Sequence, residues 1–257
     1  MAKIHPSAVI QSGAAIGADC EIGPYCVIGP EVVLGDECKL HSHVIIEGHT
    51  ILGRGNEIFP FACVGLKTQD LKWKGGATRT QIGDYNTFRE YVTINSSTVD
   101  GGVTVVGSSN HLLAYAHVAH DVNLGNHVVM SNVATLAGHV LVEDHATIGG
   151  LAAVHQFCRI GKLAIIGGCS KVVQDVPAFM LADGNPAKTR GINKVGLERN
   201  GIAPTVQAAL RRAYKILFRE GLTVSNALAR IEAELPAHAE IRHLIAFARA
   251  SERGLSK

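Results

Sequence analysis

The chain has 257 residues, 47% hydrophobic but only 5% aromatic, with 28 glycines, enough for one large or two modest domains around a sizeable yet thin interior. A net charge of +2 excludes nucleic acid as the main partner, and no run of 18 apolar residues offers a transmembrane segment. The N-terminus lacks the basic region, apolar core and cleavage site of an export signal, so the cytoplasm is the expected location.

The first elements set a beat that persists through most of the chain. Reading every sixth residue from Ile4 gives Ile10, Ile16, Ile22, Ile28, Leu34, Leu40, Ile46, Leu52, Ile58 and Val64. The series resumes at Ile82, Phe88 and Ile94, and runs unbroken from Val106 through Leu112, Val118, Leu124, Met130, Leu136, Val142, Ile148, Val154, Ile160 and Ile166 to Val172. A helix repeats its apolar stripe at 3.6 residues and a half-buried strand at 2, so this period implies a solenoid that turns a corner every six residues. Residues two places before the apolar slot are small, among them Cys20, Cys26, Cys38, Ala116, Ala134, Cys158 and Ser170, as an inward position at a narrow corner requires. The six cysteines show neither paired nor C-x-x-C spacing and read as reduced core residues. Glycines directly after the slot (Gly17, Gly23, Gly29, Gly35, Gly53) are expected to supply positive φ. The pattern resembles the hexapeptide repeat of left-handed parallel β-helices, in which three hexads make one triangular coil. The beat fails at Asp70, Gly76 and Asp100, which marks loops extruded near residues 66–81 and 95–103, natural places for substrate contacts.

Past Val172 the beat fades, and the fold class is mainly β, a left-handed parallel β-helix over residues 1–190 followed by a small all-α domain over 191–257. Pro204 to Glu220 carries apolar residues at helical spacing and Gly221 is placed to end that helix. Thr223 is placed to cap a second helix through Leu235, and Pro236 to open a third that runs to about Ser251. The first helix bears Arg211, Arg212, Lys215 and Arg219, a basic strip that is either solvated or a dock for an acidic protein.

Residues eighteen apart stack on successive coils, about 4.8 Å from one another. His120 then stacks with Gly138 and Gln156, Asp121 stacks with His139, and His117 and His155 flank the same strip. The aliphatic slots already fill the interior, so these polar groups face outward, and three distant segments converge on one functional strip.

The segments His117-Val118-Ala119-His120-Asp121, Asn132 to His139, Ile148-Gly149-Gly150 and Val154-His155-Gln156-Phe157 resemble the bacterial UDP-N-acetylglucosamine O-acyltransferases, which initiate lipid A synthesis. The resemblance extends to Gln69-Asp70-Leu71-Lys72, Gly167-Gly168-Cys169-Ser170, Gln174-Asp175-Val176-Pro177 and the helical tail. It implies a homotrimer with sites between neighbouring subunits, moving a 3-hydroxyacyl group from acyl carrier protein to the glucosamine 3-hydroxyl of UDP-N-acetylglucosamine. No separate cofactor is implied, since the donor's phosphopantetheine is borne by the carrier protein, and no metal is implied. By the same resemblance His120 is the general base, Asp121 its support and Gly138 the backbone N–H donor to the oxyanion. Gln69, Asp70, Lys72, His117, His139, His155, Gln156, Asn193 and Arg199 become substrate contacts, and Gly168, presented by the neighbouring subunit, sets acyl length. The family's Ile-His-Arg-Gly-Thr is replaced here by Ile94-Asn95-Ser96-Ser97-Thr98, so a His or Arg contact from that loop is lost or replaced. A second departure, Asn200 beside Arg199 where the family pairs arginines, leaves Arg199 with less help for the nucleotide phosphates.

Other classes fit part of the pattern. Clustered histidines also suit a β-helical zinc carbonic anhydrase, a related hexapeptide enzyme would acylate a 3-amino sugar, and a non-catalytic trimeric scaffold would need none of the convergent histidines.

Overall fold

The computed structural model describes residues 1–257. Three parallel sheets of 11, 9 and 8 strands wind into a left-handed β-helix in which most strands are two residues long. Each slot residue lies on its counterpart one coil away, Ile4 on Ile22, Ile22 on Leu40 and Leu40 on Ile58. Adjacent coils are tied by parallel ladders such as the Lys3 N–H to the Cys20 carbonyl at 2.7 Å and the His5 N–H to the Ile22 carbonyl at 2.8 Å.

This stacking buries the apolar column almost completely. From Ile22 to Val172 no slot residue is more than 3% exposed, and the small residues two places earlier, Cys20, Cys26, Cys38, Ala116, Ala134 and Cys158 included, are fully buried. Burial pushes the thiols of Cys38 and Cys158 up to about 11, and all six cysteines are free. The column is open at its start, where Ile4 is 45% exposed because no coil lies beneath it.

The glycine expectation is overturned. Gly17, Gly23, Gly29, Gly35 and Gly53 are not at positive φ; the left-handed conformation falls three residues after most slots, on Asp19, Tyr25, Glu37, His43 and their counterparts up to Cys169, nearly all of them non-glycine. The glycines serve close approach instead: a Cβ on Gly35 would lie 2.6 Å from the carbonyl carbon and oxygen of Gly53 in the next coil. At one corner an internal amide ladder occupies the small position. The Asn86 side chain donates to Asn56 Oδ1 at 2.9 Å, and Asn86 Oδ1 and Asn110 Oδ1 accept the N–H groups of Asn110 and Val128 at 2.9 and 2.7 Å.

Two segments leave the coil, residues 67–78 and 96–102. Stacked partners are 30 residues apart across the first and 24 across the second, against 18 elsewhere, so each loop is extruded without shifting the beat.

After Val172 the chain forms an antiparallel hairpin, Met180–Gly184 with Ala187–Ile192, that adds to the first sheet and extends two residues past 190. The short helix α1 (Lys194–Arg199) follows, then α2 (Pro204–Phe218), α3 (Val224–Glu234) and α4 (Ala239–Arg249). Neither the hairpin nor α1 carries a periodic apolar signal long enough to read. Thr223 caps α3, its hydroxyl accepting the Asn226 N–H at 3.2 Å. Pro236 does not open α4: the preceding residues are extended and His238 takes the cap position. Phe179, Met180 and Leu163 from the coil end join Leu210, Leu217, Ile231, Leu244 and Phe247 in a second core. The final residues return to the coil, where buried Asp175 accepts the Arg159 N–H at 2.8 Å and the Ser251 hydroxyl at 2.7 Å.

Gly35→Ala should cost about 1–3 kcal/mol through overpacking, read as a lower urea midpoint at unchanged slope. An unaltered midpoint would mean that the coils have slack at this corner.

Candidate active site

The corner after the second sheet positions the histidine strip. Register fixes it, with His117 on Thr135, Val118 on Leu136 and Leu136 on Val154. The His139 N–H bonds to the His120 carbonyl at 3.1 Å and the Phe157 N–H to the Gly138 carbonyl at 3.2 Å. Gly138 therefore lies directly against His120, so close that a Cβ on it would fall 2.5 Å from Nε2. The Gly138 N–H donates to no acceptor in the chain.

His120 Nδ1 lies 2.8 Å from Asp121 Oδ2. An ionised carboxylate only accepts, so Nδ1 carries the proton and Nε2 keeps its lone pair for the opening in front of it. The loop residue Asp70 approaches that opening, its Oδ2 at 3.8 Å from Nε2. His139 stands edge-on to His120, ring centroids 5.2 Å apart, with its own Nε2 at 3.6 Å from Asp121 Oδ2, and stacks at 4.7 Å on Phe157.

Asp121 is held from several sides. Burial alone would push its carboxyl up, but hydrogen bonds from the Ser97 hydroxyl, His120 and the Thr98 N–H outweigh burial and hold it below its ordinary value. His117 donates to or accepts from Thr93 Oγ1 at 2.7 Å, and burial, with the charge of His120 second, lowers its pKa.

His120 is thus in contact with Asp121, Gly138, His139 and Asp70, and His117 lies three residues earlier on the strand that leads into the corner. His155 and Gln156 are exposed on the next coil, joined by a 3.2 Å contact from His155 Nδ1 to the Gln156 carbonyl. Gln69 and Lys72 are exposed on the loop, and the Lys72 backbone N–H, rather than its ammonium, bonds Asp70 at 2.9 Å. Gly168 lies at another corner, where a Cβ would sit 3.3 Å from the Gly150 carbonyl. Arg199 is exposed at the end of α1.

Asn193 carries a structural role as well. It is 6% exposed, with Oδ1 accepting the Gly196 N–H at 3.0 Å as the cap of α1 and Nδ2 donating one of its two hydrogens to the Leu163 carbonyl at 2.9 Å. The basic strip is also narrower than its sequence suggests. Arg212 is paired with Glu220 and Glu234, while Arg219 donates to Tyr214 Oη at 2.9 Å and keeps its charge, which leaves Arg211, Lys215 and Arg219 without an acidic partner. Ser97, Thr98, Thr93 and Thr104 escaped the sequence reading. The signal was present: the second loop lengthens the stacking offset to 24, and Asp121 and His117 then pair with Ser97 and Thr93.

A histidine whose Nε2 is free, backed by a buried carboxylate and facing an unbonded backbone N–H on a hexapeptide-repeat β-helix, defines an acyltransferase of the hexapeptide class. Residues 1–36 match the family described as bacterial transferase hexapeptide (six repeats), and residues 175–256 match Udp N-acetylglucosamine O-acyltransferase, domain 2. The acyl-[acyl-carrier-protein]–UDP-N-acetylglucosamine O-acyltransferase of Thermodesulfovibrio yellowstonii is 50% identical over 211 residues, 82% of each chain. LpxA of Acinetobacter baumannii is 44% identical with a TM-score of 0.96 over 99% of each chain, and the UDP-N-acetylglucosamine acyltransferase LpxA of Bacteroides fragilis is 40% identical with a TM-score of 0.97 over 99% of this chain and 100% of the other. The chain belongs to the UDP-N-acetylglucosamine O-acyltransferase family.

Because the Asp121 carboxyl lies below its ordinary 3.8 when folded, it contributes stability that is present above that value and is lost as pH falls through the lower folded value. Acidifying from about pH 6 to about pH 3 should therefore lower the wild-type Tm more than that of Asp121→Asn, each kcal/mol amounting to about 2–4 °C. Parallel curves for the two proteins would remove Asp121 from the acid transition.

Proposed function

We propose that the protein transfers a 3-hydroxyacyl chain from acyl carrier protein to the 3-hydroxyl of UDP-N-acetylglucosamine, the first step of lipid A biosynthesis, in the cytoplasm. The observation that carries this reading is the pairing of His120 with Asp121 at Nδ1, which leaves Nε2 open beside Gly138. His120 Nε2 removes the proton of the acceptor hydroxyl as its oxygen attacks the thioester carbonyl. The Gly138 N–H donates a hydrogen bond to the resulting oxyanion, and Asp121 stabilises the imidazolium. Collapse breaks the C–S bond, and His120 returns the proton to the departing phosphopantetheine sulfur. The thioester is already activated and the donor carries its own prosthetic arm, so this chemistry calls for no separate cofactor and no metal.

The substrate is held by the strip and the loop around it, with Asp70, Gln69 and Lys72 closing from residues 67–78 and His117, His139, His155 and Gln156 lining the coil. Arg199 meets nucleotide phosphate. The exposed guanidinium of Arg211 and ammonium of Lys215 suit the acidic carrier protein. We read the working form as a homotrimer. Tyr25, His43, Phe61, Tyr91 and Tyr115 form a continuous exposed ring stack along one corner, with centroids 4.7 to 5.0 Å apart, and Val133 and Leu151 extend it toward Gly168. An apolar ridge of that length is suited to burial against a second copy.

A zinc reading has one supporting observation, since ligand atoms of His120, Asp121 and His139 lie within 4.8 Å of one another. Assay of the purified protein with UDP-N-acetylglucosamine and 3-hydroxyacyl carrier proteins separates the two. His120→Ala should fold and lose about 10²- to 10⁴-fold in kcat, and a chelator should leave the wild type active. Stoichiometric zinc whose removal abolishes turnover would establish the metal enzyme, and a 3-amino sugar taken in preference would move the acceptor from oxygen to nitrogen.

Gly168 offers no side chain to stop a growing acyl chain, so the wild type should prefer donors of about twelve to fourteen carbons, while Gly168→Met should shift preference toward about ten, each filled methylene site being worth about 0.8 kcal/mol. Relative kcat/KM across donor lengths decides this; identical profiles would confine Gly168 to its turn.

A further inference from the structure

We propose that Ser97 is a positioning residue for the reaction, holding the Asp121 carboxylate in the one orientation that accepts the His120 Nδ1 proton. The proposal deepens the acyl-transfer reading above and rests on it for its kinetic consequence.

The carboxylate of Asp121 has more than one available partner. Oδ2 accepts from His120 at 2.8 Å and from the Thr98 N–H at 3.1 Å, while His139 Nε2 lies 3.6 Å from the same oxygen. A carboxyl group free to turn about its last bond would exchange His120 for His139 with little loss. Ser97 removes that freedom, because its hydroxyl donates to Oδ1 and so holds Oδ2 against His120 Nδ1.

Ser97 is itself immobilised. It is fully buried, and its oxygen accepts the Val99 N–H at 3.0 Å; of the two acceptors its hydroxyl can reach, Asp121 Oδ1 is much the closer and the Val99 carbonyl lies 3.3 Å away. Gly102 closes the pocket from the far side at a position where any Cβ would overlap the Ser97 hydroxyl. The backbone of Asp121 is pinned in turn, at a φ of 59° with its N–H on Thr104 Oγ1 at 2.8 Å. The left-handed φ is the one this corner repeats along the coil, so the position of the Asp121 main chain is set by the scaffold. With main chain and one oxygen both fixed, the other oxygen is left for His120.

The test is a double-mutant cycle with steady-state kinetics on the full-length protein, supported by a readout that needs no turnover. S97A should lower kcat about tenfold or more, as expected for a lost hydrogen bond to a charged group, with KM for UDP-N-acetylglucosamine within about twofold. In a D121A background S97A should cost nothing further, because its effect runs through the carboxylate. In proton NMR, the His120 Nδ1–H resonance, identified by its loss in H120A, should shift and exchange faster in S97A. S97C, close in volume and a weaker donor, should fall between wild type and S97A and replaces S97A should that protein fail to fold. A kcat within about twofold of wild type, an equal loss with and without Asp121, or an unmoved resonance would overturn the assignment. An inactive wild type would count against the acyl-transfer reading alone, since the resonance reports on Ser97 whether or not acyl groups are transferred.

Discussion

The vertical register between coils is the constraint on which the rest of this molecule depends. Every backbone N–H in the parallel ladders points to the coil next door, so a residue's neighbours are set by stacking order and not by proximity in sequence. The arrangement has a local cost, since non-glycine residues in the left-handed region are disfavoured by about 1–3 kcal/mol each, and the corners place nineteen of them there. Repetition offsets it. Corner side chains one coil apart stack on one another, as Phe61, Tyr91 and Tyr115 do, and the aliphatic column behind them is sealed from solvent.

The same register assembles the site from single contributions. His120 and Asp121 come from one coil, Gly138 and His139 from the next, and Ser97 from the one before. No two of these segments are adjacent in sequence, yet none needs a long loop to reach the others. Precision here comes from the scaffold's rise, close to the separation of two atoms in van der Waals contact plus a little. Two loops hang outside it: that of residues 96–102 brings Ser97 onto Asp121, and that of residues 67–78 supplies Asp70, the group standing at the mouth of the site.

Much of this was legible in the residues. The six-residue beat is a direct consequence of one inward side chain per corner, so the β-helix, both loops and the stacking of His120 on Gly138 could be read without coordinates. The glycines misled because an absent Cβ has two uses, and sequence alone does not separate positive φ from close approach; Gly35 proves to need the second. The capping role of Asn193 was out of reach for a different reason, since an amide gives no sign that it caps a helix until its neighbours are known. Ser97 lay hidden behind an offset of 24 in place of 18, a change made by a loop whose length was readable but whose effect on the stack was not followed through. Arg212 shows the limit for surface charge, because its partners Glu220 and Glu234 are set by how α2 meets α3.

The two ends of the solenoid are unlike. At the C-terminal end the hairpin, the helices and the returning tail close the column, whereas at the N-terminal end Ile4 faces solvent with no rung beneath it. A stack whose units touch only their neighbours takes its firmest support from an end that is closed. The rungs that hold His120 and Gly138 lie toward the closed end and share the bracing that the helices give to the coil's last turns.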